Sequence, residues 1–228
     1  MPNEFTSAGR AFGYRAQRIM RISNNLASLL NKLVASNEFN DFLLVWEFGT
    51  NTTLCHFVDS FLRYLVDILS EILKSRPDAL KSSEKVDIED VLRCSSMEDV
   101  IHFLAERKVN ALSYKSVAEV LDYFTKNLGL AVLTNTQERD NLILAVEVRN
   151  LFTHNDGVIN ERFRNKAPGG PYPLKHRLSN SGAWVRLGVS FAYLVFDIDV
   201  AAATKFNLPT SIAPTDWNKS FDIGPQNV

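Results

Sequence analysis

The run LCHFVDSFLRYLVDILSEILK, residues 54–74, constrains the fold more than any other stretch of the chain. Leu54, Phe57, Val58, Phe61, Leu62, Leu65, Ile68, Leu69 and Ile72 recur at i, i+3, i+4 and i+7 steps, with no alternation of period two. This predicts a long helix whose broad apolar face must be covered by other helices. Pro77 ends it.

The rest of the chain repeats the helical pattern. Residues 5–35 carry Phe12, Ile19, Leu26, Leu29, Leu30 and Leu33 at helical spacing, with Gly9 and Gly13 as places where the helix can break. Arg15, Arg18 and Arg21 follow at i+3 steps on one drifting face, either a solvated face or a stripe turned to phosphate. The apolar DFLLVW at 41–46 leads into GTNTT at 49–53, which reads as a helix break followed by an N-cap.

The polar, acidic stretch 75–96 holds a short helical patch at 88–92. Ser95 with Glu98, and Ser116 with Glu119, have the spacing of capping boxes and open two further helices, the second closed by Gly129. Thr134 with Gln137 offers another N-cap, starting a helix over about 136–155. APGGPYP at 167–173 is a loop, and a last apolar helix spans 181–206. The fold class expected is all-α, a bundle of six to eight helices. Its domain is 1–207, followed by a proline-containing tail, 208–228, as a strap or a disordered end.

A net charge of −1 rules out a uniformly cationic surface, so any anion site needs local segregation of charge. Cys55 and Cys94 form no CxxC or Cys/His array, so neither a disulfide framework nor a metal site is expected, and no cofactor is implied. The N-terminus lacks a secretory apolar core, and the apolar run 187–196 is too short to cross a bilayer. A cytoplasmic protein with no membrane partner is expected.

Chemistry concentrates in RNLFTHNDGVIN, residues 149–160. On an ideal helix at about 100° per residue, Ile143, Glu147, Asn150 and His154 share one side, while Leu142, Ala145, Val146, Arg149 and Phe152 share another. An arginine and a glutamate on an otherwise apolar helix need partners: each other, another subunit or a ligand. Arg149 and His154 stand five positions apart, about 140° around the axis, so one straight helix does not aim them at one point. A bent helix end or a second chain must complete the site. Asn155 and Gly157 suit a left-handed helix end, which places His154 on the last turn.

Just beyond lies a basic stretch. Arg162, Arg164, Lys166, Lys175, Arg177 and Arg186, with His176, occur between 162 and 186 without one Asp or Glu. Phe163, Tyr172 and Trp184 are interleaved for base stacking, as in single-stranded nucleic-acid sites. The alternative is a cationic loop of no function.

RNLFTHNDGVINERF resembles the signature segment of HEPN domains, whose ribonuclease members carry Arg, four to six residues, then His. Here Arg149, the four residues 150–153 and His154 fit, and Asn150 is the polar residue often found after the arginine. CHFVDSFLRYLVDIL and SYKSVAEVLDYFTKNLGL extend the likeness over about 43–163. The resemblance implies a HEPN-like bundle and a metal-independent endoribonuclease. It also implies a homodimer in which two motif helices build one composite site.

It assigns His154 as general base or acid at the ribose 2′-OH or the leaving 5′-oxygen. Arg149 would hold the scissile phosphate, Asn150 would orient His154 or bind phosphate, and Glu147 would support them. Arg162, Arg164, Lys166, Lys175 and Arg177 are the expected RNA-binding cations. Products would be 2′,3′-cyclic phosphate and 5′-OH ends. Kinship further implies a toxin–antitoxin or antiviral-defence setting with a cognate inhibitor or defence-system partner. Asp156 stands where some HEPN toxins carry a modifiable tyrosine, so a nucleotidyltransferase partner is not expected. The competing expectation is a non-catalytic HEPN-like module for dimerisation or RNA binding.

Overall fold

A computed structural model describes residues 4–80, 86–131, 135–178 and 183–212, the side chains of 183–189 excepted. Among the described residues eight helices run in the order α1 Ser7–Ala35, α2 Phe39–Ser75, α3 Ile88–Leu92, α4 Met97–Ser113, α5 Val117–Lys126, α6 Thr136–Asn155, α7 Glu161–Lys166 and α8 Ala183–Phe206. A 3-10 turn, Pro77–Leu80, follows α2, and two-residue strands β1 Glu4–Phe5 and β2 Ser211–Ile212 pair antiparallel. The fold is therefore the all-α bundle expected, with helix over 76% of the described residues. Among the described residues no helix is long and apolar enough to cross a membrane.

α2 is the axis of the bundle. Leu54, Phe57, Val58, Phe61, Tyr64, Leu65, Ile68, Leu69, Ile72 and Leu73 are all buried, so the periodic face read from the sequence is the core face. It packs on α1, α4, α6 and α8. Phe61 stacks on Phe191 of α8 at 5.3 Å, and Phe12 of α1 meets Tyr64 edge-on at 6.0 Å.

Two expected breaks are absent. α1 runs unbroken through Gly9 and Gly13, and α2 runs unbroken through GTNTT. Both segments use small residues for close approach, not for a turn. A Cβ on Gly49 would lie 1.8 Å from Leu26 Cδ2, and one on Gly9 would lie 2.6 Å from Asp199 Cγ. Thr50 Oγ1 donates back to the Trp46 carbonyl at 2.7 Å, so the hydroxyl is satisfied inside the helix instead of capping a new one.

The caps shift by a residue or confirm the reading. α4 starts on Ser96, whose hydroxyl accepts from Asp99 N at 3.1 Å, so Ser95 and Glu98 are not the box. Ser116 and Glu119 form a complete capping box at α5. Gly129 takes φ +59° beyond the Asn127 cap, where Leu130 N reaches Phe124 O at 2.9 Å. Thr134 lies outside the described residues, and Asn135 caps α6 by accepting from Gln137 N at 2.9 Å.

At the other end a buried carboxylate anchors the first helix. Asp199 of α8, 1% exposed, accepts from Thr6 N at 2.9 Å, Thr6 Oγ1 at 2.6 Å and Tyr64 Oη at 3.3 Å. Glu71 accepts from Ala8 N at 2.7 Å. Two acids from two helices thus meet the amides at the start of α1. The tail begins as a strap: β2 pairs with β1, while 213–228 lie outside the described residues.

Candidate functional site

α6 carries the site because five of its residues, Leu142, Ala145, Val146, Val148 and Leu151, are buried in the core and fix its rotation. Its last residue is Asn155; Asp156 then takes a left-handed conformation at φ 49° and Gly157 another at φ 74°. Gly157 N reaches back to Leu151 O at 3.2 Å, closing the helix. His154 is therefore on the last turn and exposed, as the sequence implies.

A short turn leads to Asn160, whose side chain accepts from Phe163 N at 2.9 Å and caps α7. Phe163 is buried and holds α7 against the bundle. This turn folds Asn160 and Arg162 back over the polar row of α6. Glu147, Asn150 and His154 share with them one small cavity of about 60 Å³, closed by Leu151 and Phe163. Asn160 is a contributor that the motif alone did not reveal, although Asn followed by an acid at a helix start was a visible signal.

The cavity opens into a larger groove of about 630 Å³ between α2, α4, α5, α6 and α7. Glu147, Asn150 and Arg162 belong to both. Leu62, Leu69, Leu112, Val120 and Ile143 line its apolar part, and Lys115, Glu119, Arg162 and Lys166 its charged part. Lys115 lies 3.5 Å from Glu119. The site is thus a groove with an apolar floor that ends at a polar pocket beside the histidine.

Arg149 is on the other side of α6. Its Nη2 sits 2.6 Å from Asp59 Oδ1 on α2, and its Nη1 donates to Asn150 Oδ1 at 2.9 Å. Its Nε is buried with no hydrogen-bond partner. The expected offset between Arg149 and His154 is real, and within this chain Arg149 turns to α2. Asn150 joins the two sides by giving its oxygen to Arg149, and His154 makes no side-chain hydrogen bond among the described residues. Among the described residues Asn150 is thus bonded to Arg149, with no hydrogen bond to His154.

Behind Arg149 lies a second cleft of about 390 Å³, lined by Leu44, Glu47, Cys55, His56 and Asp59 of α2 together with Phe152, Thr153 and Arg177. Cys55 Sγ is 4.0 Å from Thr153 Oγ1, and burial pushes its thiol up from the usual range, which disfavours a reactive thiolate. Among the described residues no three His, Cys, Asp or Glu side chains converge to hold a metal ion.

The basic stretch is not one field. Arg177 is neutralised by Glu47 at 2.9 Å and Asp156 at 3.3 Å, acids from outside the stretch. Arg164 pairs with Glu161 at 2.6 Å. Lys175 sits at φ 63° in a loop stitched to the segment after α6 by its N–H to Ile159 O at 2.9 Å. Arg162 and Lys166 remain in the groove.

Two of the three interleaved aromatics, Phe163 and Tyr172, are packing groups in this structure. Phe163 is 2% exposed and meets Tyr172 edge-on at 5.1 Å, and Tyr172 Oη donates to Pro168 O at 2.8 Å. The side chains of Trp184 and Arg186 lie outside the described residues.

No protein-family model, no characterised protein and no solved structure matches the chain.

Proposed function

We propose that the chain is a metal-independent endoribonuclease of HEPN type that cuts RNA by attack of the ribose 2′-OH. The observation that supports this best is the row Glu147, Asn150 and His154, facing one cavity with Asn160 and Arg162 at the end of an apolar groove. His154 takes the 2′-OH proton; the 2′-oxygen attacks phosphorus; the P–O5′ bond breaks and the leaving oxygen is protonated by a second imidazolium. The products are 2′,3′-cyclic phosphate and 5′-OH ends. In this reading Arg162 meets phosphate charge, and Arg149 does so on leaving Asp59. The second imidazolium comes from a second chain, so the working unit is a homodimer. A toxin or antiviral-defence effector, held silent by an inhibitor or defence-system partner in the cytoplasm, is the role this activity fits.

One observation favours a second reading, a non-catalytic dimerisation or RNA-binding module: Arg149 is already neutralised by Asp59, as a structural arginine would be. Cleavage decides between them. The purified full chain is incubated with structured and unstructured RNA in EDTA, beside the His154→Ala variant. Cleavage lost in His154→Ala, with helicity and oligomeric state unchanged, supports the enzyme. A wild-type chain that cuts no RNA, or a variant that cuts equally well, refutes it.

A further inference from the structure

Between positions 21 and 48 the α1–α2 hairpin leaves the bundle, and Leu30 is the only buried residue in the span. The arm is nonetheless apolar. Ile22, Leu29, Phe39, Leu43, Leu44 and Phe48 are 45% to 71% exposed. At ~200 Å² per large side chain they present on the order of 700 Å² of mostly apolar surface. Leu44 and Phe48 stand about 140° round α2 from Phe39 and Leu43, so this total is divided between two flanks of the arm, each within the several hundred Å² of a functional surface patch.

The arm is also polar in charge along its length. Arg18 and Arg21 are exposed at its base on α1, and Glu38 and Asp41 are exposed at its tip. The fifteen residues from Arg21 to the end of α1 rise by about 21 Å, twice the screening length of physiological salt, so base and tip of one chain do not neutralise each other. Two arms laid side by side in parallel would set cation on cation. Laid antiparallel about a two-fold axis, each acidic tip meets the other's basic base.

We propose that this arm is a self-association surface that takes a second copy of this chain in antiparallel register. The surface is continuous with the second cleft, the one behind Arg149, because Leu44, Glu47 and Phe48 line that cleft with Phe152 and Thr153. The inference stands on the arm alone, and it supplies the second chain that the proposed ribonuclease requires.

Sedimentation equilibrium of the full chain across the micromolar range tests it, with helicity checked by circular dichroism. The wild type is expected to dimerise, and Leu44→Glu and Phe48→Glu, both on exposed positions, each to weaken the dimer about tenfold or more. The charge variants decide the register. R18E/R21E and E38R/D41R should each weaken self-association, and an equimolar mixture of the two should form a heterodimer of wild-type strength, since both contacts are then restored. A chain monomeric throughout overturns the proposal, including one whose arm binds lipid vesicles or an unrelated protein instead. Apolar variants that dimerise like the wild type, or a mixture that restores nothing, overturn it too. RNA cleavage is a separate readout, so failure of the arm and failure of the ribonuclease reading are distinguishable.

Discussion

Arg149 is held by Asp59, one helix away and ninety positions earlier in the chain, through a 2.6 Å contact that turns it from the row containing His154. The side chains are 24% and 45% exposed, so the pair is neither buried nor freely solvated. A double-mutant cycle of Arg149→Ala and Asp59→Ala in urea should give a coupling of about 1 kcal/mol. Asp59→Asn should also tighten RNA binding severalfold, because it removes the anion that competes with phosphate for the guanidinium. Unchanged affinity would make Arg149 purely structural.

The cations divide by their partners. Arg162→Ala and Lys166→Ala together should lower RNA affinity and reduce the slope of log K against log salt by about 1.4, two phosphate contacts on a single strand. Arg164→Ala and Arg177→Ala, whose charges are met by Glu161, Glu47 and Asp156, should change it far less. Equal slopes for both pairs would show that the groove does not guide the strand.

Acid should stabilise one end of the bundle. Burial pushes the Asp199 carboxyl up, against the lowering effect of its bonds from Thr6 and Tyr64, and burial likewise pushes Glu71 up. An acid raised in the folded chain holds more proton than in the unfolded chain, where Asp and Glu titrate near about 4. Its contribution is full below that value and is lost as pH rises through the folded value. Asp199→Asn should flatten this fall while keeping the acceptor for Thr6 N, whereas Asp199→Ala should cost about 2 kcal/mol at neutral pH by orphaning that amide. Urea midpoints over the acid-to-neutral range measure both. A slope unaltered in Asp199→Asn would assign the titration elsewhere.

Gly49 should show a change of sign. Gly49→Ala in the wild type is expected to destabilise, because the new methyl collides with Leu26 Cδ2. In a Leu26→Ala background the same substitution should stabilise by about 1 kcal/mol, the helix preference of Ala over Gly. Thermal unfolding of the four proteins reads it directly.

Local signals fixed most of the helices. The periodic face of 54–74 is the buried face of α2, Ser116 and Glu119 cap α5, and the left-handed end after Asn155 puts His154 on a last turn. These depend on residues within a few positions of each other, which sequence spacing records. Glycines misled the reading because Gly49 and Gly9 look alike whether they end a helix or let another chain segment approach; which it is depends on Leu26 and Asp199, distant in sequence.

The same limit applies to the site. The row Glu147, Asn150 and His154 follows from helical geometry and was determined by sequence alone. That Arg149 faces Asp59, that Arg162 closes over the row while Arg177 is quenched by Glu47, and that Phe163 is core, were decided by tertiary packing. Spacing sets a side chain's angle on its own helix, but the charge it meets depends on which helix the core places beside it.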